Sequence, residues 1–296
     1  MIKEIFIGII VIMILWSLIE RKLLGTTKFT ISSAKLPKKL DGVSFVVLAD
    51  LHDCTFGPGN IRLLRKINRL SPDFIIAAGD IINKNKPCFP GNAYYLLEQL
   101  SKKYKVFFAY GNHEQRMEAY GKEEASLTEE QAKLYTAWNQ FKKRLIKLNI
   151  SILDNKGLRY GTEGVWLNIT GVSIGPEYFA RNKVVNMEEG YLKSLVETSD
   201  KSHYQILIAH NPVYFENYVA WGADLTIAGH VHGGMVRLPG LGGVISPQAK
   251  FFPKYQAGKY AKNHKEMVVS RGLGSHSIMP RLFNIPELVF ITLKSQ

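Results

Sequence analysis

Two histidines stand one residue apart in a glycine-rich stretch, Gly229-His230-Val231-His232-Gly233-Gly234. The flanking glycines let the backbone bend sharply, and imidazoles on either side of a bend can each reach a different ion of a close metal pair. A histidine-rich surface turn explains the stretch equally well when it is taken alone, because isolated motif matches often mislead. The rest of the chain must decide between these two interpretations.

Other residues of ligand type follow apolar runs elsewhere in the chain. Each run is typical of a buried strand, so the polar residue after it is expected at the carboxyl end of that strand, where α/β folds build their sites. The whole set comes from five loops and consists of Asp50, His52, Asp80, Asn112, His113, His210, His230 and His232. Carboxylate, amide and imidazole groups suit divalent metals. An ordered set of this size favours a metal site over chance.

The elements that carry these residues indicate a layered α/β domain. Strands are predicted at residues 43–49, 74–78, 106–110, 204–209 and 224–228, with further strand-like runs at 150–153, 157–160, 165–170, 267–270 and 288–293. Between the first strands, one helix is predicted with Ile61, Leu64 and Ile67 on a single face, and another at residues 94–103. The repeated order of strand, loop and helix predicts a largely parallel arrangement.

Two further helices are predicted downstream. Ser126 and Glu129 resemble a capping box before a long amphipathic helix, and another helix is expected at about residues 187–197. We expect residues 115–137 to pass over the mouth of the site, with a plain surface helix as the alternative.

The amino terminus is apolar from Ile5 to Ile19. This run is shorter than the ~20 residues that span a bilayer comfortably, and no small-residue cleavage site of a signal peptide follows it. We therefore expect a membrane-anchor helix within residues 1–22, with Trp16 near one interface. Residues 23–43 are a connector with a first strand, and residues 44–296 form one domain. The side of the membrane stays open, because basic residues flank both ends of the run.

The composition is globular, with 46% hydrophobic residues and a net charge of +13. Such a surplus favours anionic partners, although a solvated basic surface is an equally good explanation. The basic residues form no block, which argues against nucleic acid as a partner. The two cysteines, Cys54 and Cys88, are too few for a disulfide scaffold. We expect two unpaired thiols, with a disulfide as the alternative if the domain lies outside the cytosol.

The order Asp-x-His, Gly-Asp, Gly-Asn-His-Glu, an isolated histidine and Gly-His-x-His resembles that of the calcineurin-like metallophosphoesterases. The resemblance covers nearly everything from residue 44 to the end. The tail, with Ser270-Arg271-Gly272-Leu273-Gly274, Pro280-Arg281 and Pro286-Glu287-Leu288, is similar to the bacterial membrane-associated branch, which includes enzymes resembling UDP-2,3-diacylglucosamine pyrophosphohydrolases. The resemblance implies an α/β fold, a four-layer α-β-β-α sandwich of two mixed sheets with the metals at one edge.

The resemblance also implies a role for each site residue. Asp50, His52 and His232 would bind one divalent ion, and Asn112, His210 and His230 a second, with Asp80 bridging both. The ions would be Mn, Fe, Zn or Co. A metal-bound hydroxide would attack phosphorus in line. His113 would protonate the leaving group as a general acid, or contact the phosphate electrostatically.

The expected reaction is hydrolysis of a phosphomonoester, phosphodiester or pyrophosphate bond. Its substrate would be a phosphorylated small molecule or a lipid-linked phosphate, with the enzyme held by residues 5–19 on the bacterial cell membrane. A nuclease or cyclic-nucleotide phosphodiesterase is the first alternative. A scaffold that keeps the fold without catalysis is the second.

Several neighbours of these residues leave alternatives open. Asn83 stands where many relatives have an aspartate that orients the acid histidine, so Glu114 is a candidate to assist His113. Asp53 is expected either to support a ligand or to face solvent. His276 follows a glycine turn that would border the site. The candidate phosphate contacts are Lys84, Lys86, Arg116, Arg271 and Arg281.

Overall fold

A computed structural model of the chain describes residues 2–180, 183–238, 240–245, 251–275 and 280–296. The helices are α1 Ile2–Glu20, α2 Ile61–Leu70, α3 Asn92–Ser101, α4 Asn112–Tyr120, α5 Glu129–Lys147, α6 Tyr191–Leu195 and α7 Phe215–Trp221. The strands are β1 Gly25–Ser33, β2 Ser44–Leu48, β3 Phe74–Ala78, β4 Lys105–Ala109, β5 Ser151–Leu153, β6 Lys156–Thr162, β7 Val165–Val172, β8 Gln205–Ala209, β9 Leu225–Ala228, β10 Val236–Leu238, β11 Gly242–Ile245, β12 Gly258–Lys262, β13 Lys265–Val269 and β14 Glu287–Ser295.

Two six-stranded sheets form the centre of the fold. The first has the order β1-β14-β2-β3-β4-β5, and the second has the order β12-β13-β9-β8-β7-β6. Both are mixed, because β14 is antiparallel to β2 in the first sheet, and β12 and β6 are antiparallel edge strands of the second. The prediction of an α/β fold with two mixed sheets is therefore confirmed. A separate two-stranded ribbon pairs β10 with β11.

The core lies between the two sheets, where apolar side chains from facing strands interdigitate. Phe45 and Phe74 of the first sheet stack with ring centroids 4.8 Å apart, and Ile206 and Ile227 of the second sheet belong to the same buried cluster. Helices α2, α3 and α5 cover the outer face of the first sheet, and α6 and α7 cover that of the second. The result is four layers, because each sheet buries apolar residues on both of its faces.

Parallel strands bring the site loops together at one edge. β2, β3 and β4 are parallel neighbours in the first sheet, and β8 and β9 are parallel neighbours in the second. The loops after these five strands therefore leave the sheets at their carboxyl ends, as α/β folds require. These loops and the first turn of α4 contain all of the candidate site residues named above.

Two details of the helices differ from the sequence-based expectation. The capping box of α5 lies two residues further on: Thr128 accepts a hydrogen bond from the backbone N–H of Gln131, whose side chain accepts one from Thr128 in return. Ser126 instead donates to the Glu123 carbonyl. Helix α6 is also shorter than expected, since it begins only after Gly190, whose left-handed φ of 85° interrupts the helical backbone.

The apolar amino terminus forms α1, whose side chains from Ile5 to Ile19 are exposed apart from the buried Ser17. Its carboxyl end docks on the domain, where Ser17 Oγ accepts from the backbone N–H of Arg281 and Glu20 accepts from that of Phe283. Among the described residues, no helix is long and apolar enough to cross a membrane. The predicted membrane anchor is therefore not supported as a spanning segment, and its contact with a membrane stays a prediction.

Candidate metal centre

The first group of candidate ligands joins both sheets. Ligand atoms of Asp50, His52 and His232 all lie within 4.8 Å of one another, and the three residues are buried. The Nε2 atoms of the two imidazoles are 3.2 Å apart, and His232 Nε2 is 3.6 Å from Asp50 Oδ1. One cation between these atoms would be bound by all three side chains.

The second group consists of Asp80, His210 and His230, again within 4.8 Å of one another. His210 Nδ1 lies 2.9 Å from the Ala78 carbonyl, to which it donates, so that Nε2 faces the carboxylates. This Nε2 is 3.3 Å from Asp80 Oδ2 and 3.6 Å from Asp50 Oδ1. The hydrogen bond to the strand end thus fixes which ring nitrogen is directed into the site.

Asp80 lies between the two groups. Its Oδ2 is 4.0 Å from His52 Nε2, 3.8 Å from His113 Nε2 and 3.3 Å from His210 Nε2, while its Oδ1 accepts from the backbone N–H of His113. His113 is itself within ligand distance of His52 and Asp80. Its Nδ1 lies 3.2 Å from both the Ile82 carbonyl oxygen and the Lys84 backbone nitrogen. These backbone contacts hold the ring beside the Asp80 carboxylate.

Asn112 supplies a test of whether the residues fit a metal. Helix α4 begins at this residue, and its buried Oδ1 has no hydrogen-bond partner among the described residues. A buried acceptor without a partner is costly, and a cation ligated by that oxygen would remove the cost. Together with carboxylates and imidazoles, the amide oxygen completes a donor set that divalent transition metals accept.

The electrostatics of the site also favour bound positive charge. Burial raises the pKa of Asp50 to about 7, although His210 opposes the shift. Burial also acts against ionisation of Asp80, but the adjacent His113 and His210 outweigh it and hold the pKa of Asp80 well below its usual range. The charged form of Asp80 is thus stabilised by the neighbouring imidazoles, whereas burial favours the protonated form of Asp50.

Unusual backbone conformations aim the ligands. The backbone φ lies between 49° and 70°, in the left-handed region that residues other than glycine rarely adopt, at Asp50, His52, Asp80, His230 and His232. Such strain persists only where the surrounding structure imposes it. The predicted bend is present, and both histidines adopt positive φ in it together with Gly233 and Gly234.

Gly79 allows loops of the two sheets to approach closely. Its φ is +85°, and an added Cβ would lie 2.6 Å from the Gly111 nitrogen and 2.7 Å from His210 Nδ1. Neither the backbone nor the hydrogen-bonded ring can move away cheaply. A glycine is therefore required at this position by both conformation and space.

Glu114 has a different role from the one that the sequence suggested. Its buried carboxylate accepts four hydrogen bonds from backbone N–H groups. The donors are Asp80, Ile81, Ile82 and Gly111, at 2.8–3.1 Å. Burial and the nearby Asp80 raise its pKa to about 7, against these four bonds. Glu114 therefore holds the loops that carry Asp80 and Asn112.

The side chains of Asp53 and Asn83 also accept hydrogen bonds from backbone N–H groups. Asp53 Oδ1 accepts from the Ala93 N–H at 2.7 Å and so caps the start of α3, instead of supporting a ligand or facing solvent. Asn83 Oδ1 accepts from the Asn85 N–H. The structure thus gives the amide at position 83 a role in its own turn.

Two supporting residues were missed by the sequence-based reasoning. Arg281, considered there as a phosphate contact, is buried and donates to carbonyl oxygens of the glycine turn at residues 271–274. Asn284 Nδ2 donates to the carbonyls of His232 at 2.7 Å and Gly234 at 2.6 Å. Neither belongs to a ligand motif, so no local signal marked them.

Arg271, another of the expected phosphate contacts, forms an ion pair with Glu287.

A cavity of about 1180 Å³ opens from the metal centre, and its walls include Asp80, Asn112, His230 and His232. Among the expected phosphate contacts, Lys84 and Arg116 line it. Several residues of α4 also contribute to its wall. His276 lies outside the described residues. Cys54 and Cys88 are free thiols, as expected.

Comparison with known proteins agrees with this geometry. The chain is 28% identical over 281 residues to the uncharacterized metallophosphoesterase YkuE of Bacillus subtilis (strain 168), covering 94% of this chain and 88% of that protein. It is 25% identical to an uncharacterized metallophosphoesterase of Aquifex aeolicus (strain VF5), over 95% and 96% of the two chains.

Among solved structures, phosphopantetheinyl hydrolase (PptH) from Mycobacterium tuberculosis aligns with a TM-score of 0.48 and 13% identity, over 80% of this chain and 91% of that one. The sequence pattern of calcineurin-like phosphoesterases matches residues 43–234, which is more than half of the chain. The chain belongs to the calcineurin-like phosphoesterase family and is a metal-dependent phosphoester hydrolase.

Proposed function

We propose that this hydrolase uses two divalent cations to cleave a phosphomonoester, phosphodiester or pyrophosphate bond. Asp50, His52 and His232 would bind one ion, Asn112, His210 and His230 the other, and Asp80 both. The observation that carries the proposal is the position of the Asp80 carboxylate between the two ligand groups, within 4.0 Å of nitrogens from each. Mn, Fe, Zn and Co all suit such donors.

When bound, the ions would neutralise the phosphate charge and activate water for attack on phosphorus. Residues of the chain attract the substrate and supply a proton. Lys84 and Arg116 line the cavity and attract the anionic group. His113 points its Nε2 toward the centre and donates a proton to the departing oxygen as the bond breaks. The contacts of Nδ1 with the backbone of Ile82 and Lys84 orient the ring for this transfer.

Metal analysis and kinetics of a His113→Ala variant test these roles. We expect two ions per chain in both proteins and a turnover that falls by about 10²–10⁴-fold, the usual contribution of a general acid. A His232→Ala variant is expected to lose one ion. A single ion per wild-type chain would overturn the dinuclear centre, and undiminished turnover in His113→Ala would exclude the acid role. Added Mn, Fe, Zn and Co would identify the preferred metal.

We further propose that residues 5–19 hold the enzyme on a bacterial membrane, with a phosphorylated small molecule or a lipid-linked phosphate as substrate. Exposed apolar side chains of α1 support this contact, for example Ile9 and Ile12, which are 50% and 66% exposed. The net charge of +13 favours anionic lipid and anionic substrates. Nucleic acid is not proposed, because the basic residues form no block.

Binding to vesicles of anionic lipid tests the membrane contact. The Ile9→Lys/Ile12→Lys double variant is expected to stay in the supernatant when the wild-type chain sediments with the vesicles. Ile146→Lys is the matched control, because Ile146 is 65% exposed on α5. Equal sedimentation of all three proteins would show that α1 is not the contact.

A further inference from the structure

A second, smaller cavity meets the metal centre on the other side of Phe179. It has a volume of about 140 Å³, against about 1180 Å³ for the large cavity, and both have Phe179 and His230 in their walls. The Phe179 and His230 rings are 5.0 Å apart and nearly perpendicular. Both cavities therefore border His230, a candidate ligand of the metal centre.

The two cavities differ in size and in the share of charged side chains. The large cavity combines charged residues such as Lys84 and Arg116 with aromatic ones such as Tyr135. The walls of the small cavity are mainly aromatic and apolar, with Tyr178, Tyr214, Val213, Pro253 and Tyr255. Its charged residues are Lys183 and the ion pair of Lys254 with Glu216. A large group with polar and aromatic parts suits the first cavity, and a small aromatic or apolar group suits the second.

The wall between the cavities is held in place. Asn211 Nδ2 donates to the Tyr178 carbonyl at 2.8 Å, next to Phe179 in the chain. The backbone N–H of Gly175 donates to the Tyr191 hydroxyl at 2.9 Å, at the start of the same turn. Hydrogen bonds thus hold the turn that contains Phe179, and its ring contacts His230.

We infer that the substrate carries two organic arms on its phosphate or pyrophosphate, a large arm with polar and aromatic parts in the large cavity and a small aromatic or apolar arm in the other. The inference rests on the proposed function. A phosphomonoester has one organic arm and would leave one cavity without a binding group. In a diester, water forms a new P–O bond, the P–O bond to one arm breaks and the other arm keeps the phosphate. In a pyrophosphate, the bridging P–O bond breaks and each arm keeps one phosphate. In both reactions one proton of the water goes to the departing oxygen.

Three esters with the same p-nitrophenolate leaving group test the inference directly. They are p-nitrophenyl phosphate, bis(p-nitrophenyl) phosphate and the p-nitrophenyl ester of a nucleoside monophosphate. We expect kcat/KM to be at least about tenfold higher for the nucleoside ester than for the other two, because binding of both arms contributes to the transition state. A monoester cleaved as efficiently as the nucleoside ester would overturn the inference and leave the proposed function intact.

Val213→Trp places a large ring in the small cavity without changing a residue of the metal centre. It is expected to lower the ratio of kcat/KM for the nucleoside ester to that for the monoester by about tenfold. Ile146→Trp, on an exposed part of α5, is the matched control and should leave the ratio unchanged. An unchanged ratio in Val213→Trp would exclude the small cavity as a binding site.

Calorimetry provides a readout that does not depend on turnover. We expect a nonhydrolysable phosphonate diester with a nucleoside arm and a phenyl arm to bind at least about tenfold more tightly than phenylphosphonate. Equal affinities would overturn the two-armed substrate even if all three esters are hydrolysed. Absence of hydrolysis of every ester with Mn, Mg, Zn and Co would instead overturn the proposed function.

Discussion

The two halves of the candidate metal centre are supported by groups of opposite polarity. In the loops of the first sheet, the Glu114 carboxylate accepts hydrogen bonds from four backbone N–H groups. In the loop after β9, the Asn284 amide donates to two backbone carbonyls. Ligands in left-handed conformations leave adjacent backbone groups outside the β ladders, and each buried group needs a partner. The kind of partner depends on which group each bend exposes.

The two supports also differ in how far they reach along the chain. Glu114 lies within the Gly-Asn-His-Glu motif that it stabilises. Arg281 and Asn284 lie about 50 residues after the His230–His232 loop, in a turn that also contacts α1 through Ser17 and Glu20. The half of the site that contains His232 is therefore connected to the amino-terminal helix, and its support is a long-range one.

Removal of the Glu114 carboxylate should have the largest effect. Glu114→Ala leaves four buried N–H groups without an acceptor, and the unfolding free energy should fall by at least ~4 kcal/mol. Glu114→Gln retains an acceptor oxygen and should lose less. Denaturant unfolding measures both, with the exposed Glu130→Ala as the control. A loss below ~1 kcal/mol in Glu114→Ala would mean that water replaces the carboxylate.

Gly79→Ala should break the contact between the halves. The added Cβ would clash with Gly111 and His210 in addition to straining the backbone, so we expect a loss of ~3 kcal/mol or more. Gly42→Ala isolates the strain, because Gly42 has a φ of +82° and nothing within 4 Å of the added carbon. The unfolding free energy of this control should fall by ~1–2 kcal/mol. Equal losses in the two variants would show that the loops separate freely.

Asn284→Ala should weaken the other support more selectively. Two hydrogen bonds to backbone carbonyls are lost, and we expect a destabilisation of ~2 kcal/mol. The metal affinity should fall about 10–100-fold, as it does when residues that hydrogen-bond to metal ligands are removed. Asn284→Asp keeps the shape but removes the donor, so it should be at least as damaging. Metal titration by calorimetry compares both with the wild type. Full affinity in Asn284→Ala would place the support of His232 elsewhere.

The smallest expected effect is a contrast in thiol labelling. Burial raises the pKa of Cys88 to about 12, so almost none of this thiol is ionised at pH 8, and ionisation would increase only as the pH approaches that value. Cys54 is half-buried and lies near Ser275, beside the turn that Arg281 supports. Iodoacetamide at pH 8 should therefore modify Cys54 first, as followed by mass spectrometry. Cys88 should react at a comparable rate only after unfolding.

Most elements of the fold could be predicted because their signals are local. Buried strands such as β3 and β8 are continuous apolar runs, and their ends are marked by Gly79-Asp80 and by His210. The start of α5 was misplaced by two residues, since both Ser126 and Thr128 precede a glutamate or glutamine by three positions. Which of them caps the helix depends on the path of the chain before it.

Residue type and short-range periodicity are enough to identify the candidate ligands, their order and the layered α/β class. The folded structure is needed to see that Glu114 and Asp53 bind backbone groups, and that Arg281 and Asn284 support the site. Hydrogen-bond partners cannot be identified earlier, because they are the backbone groups that folding leaves unpaired. Those groups are known only once loops from both sheets meet at a common edge.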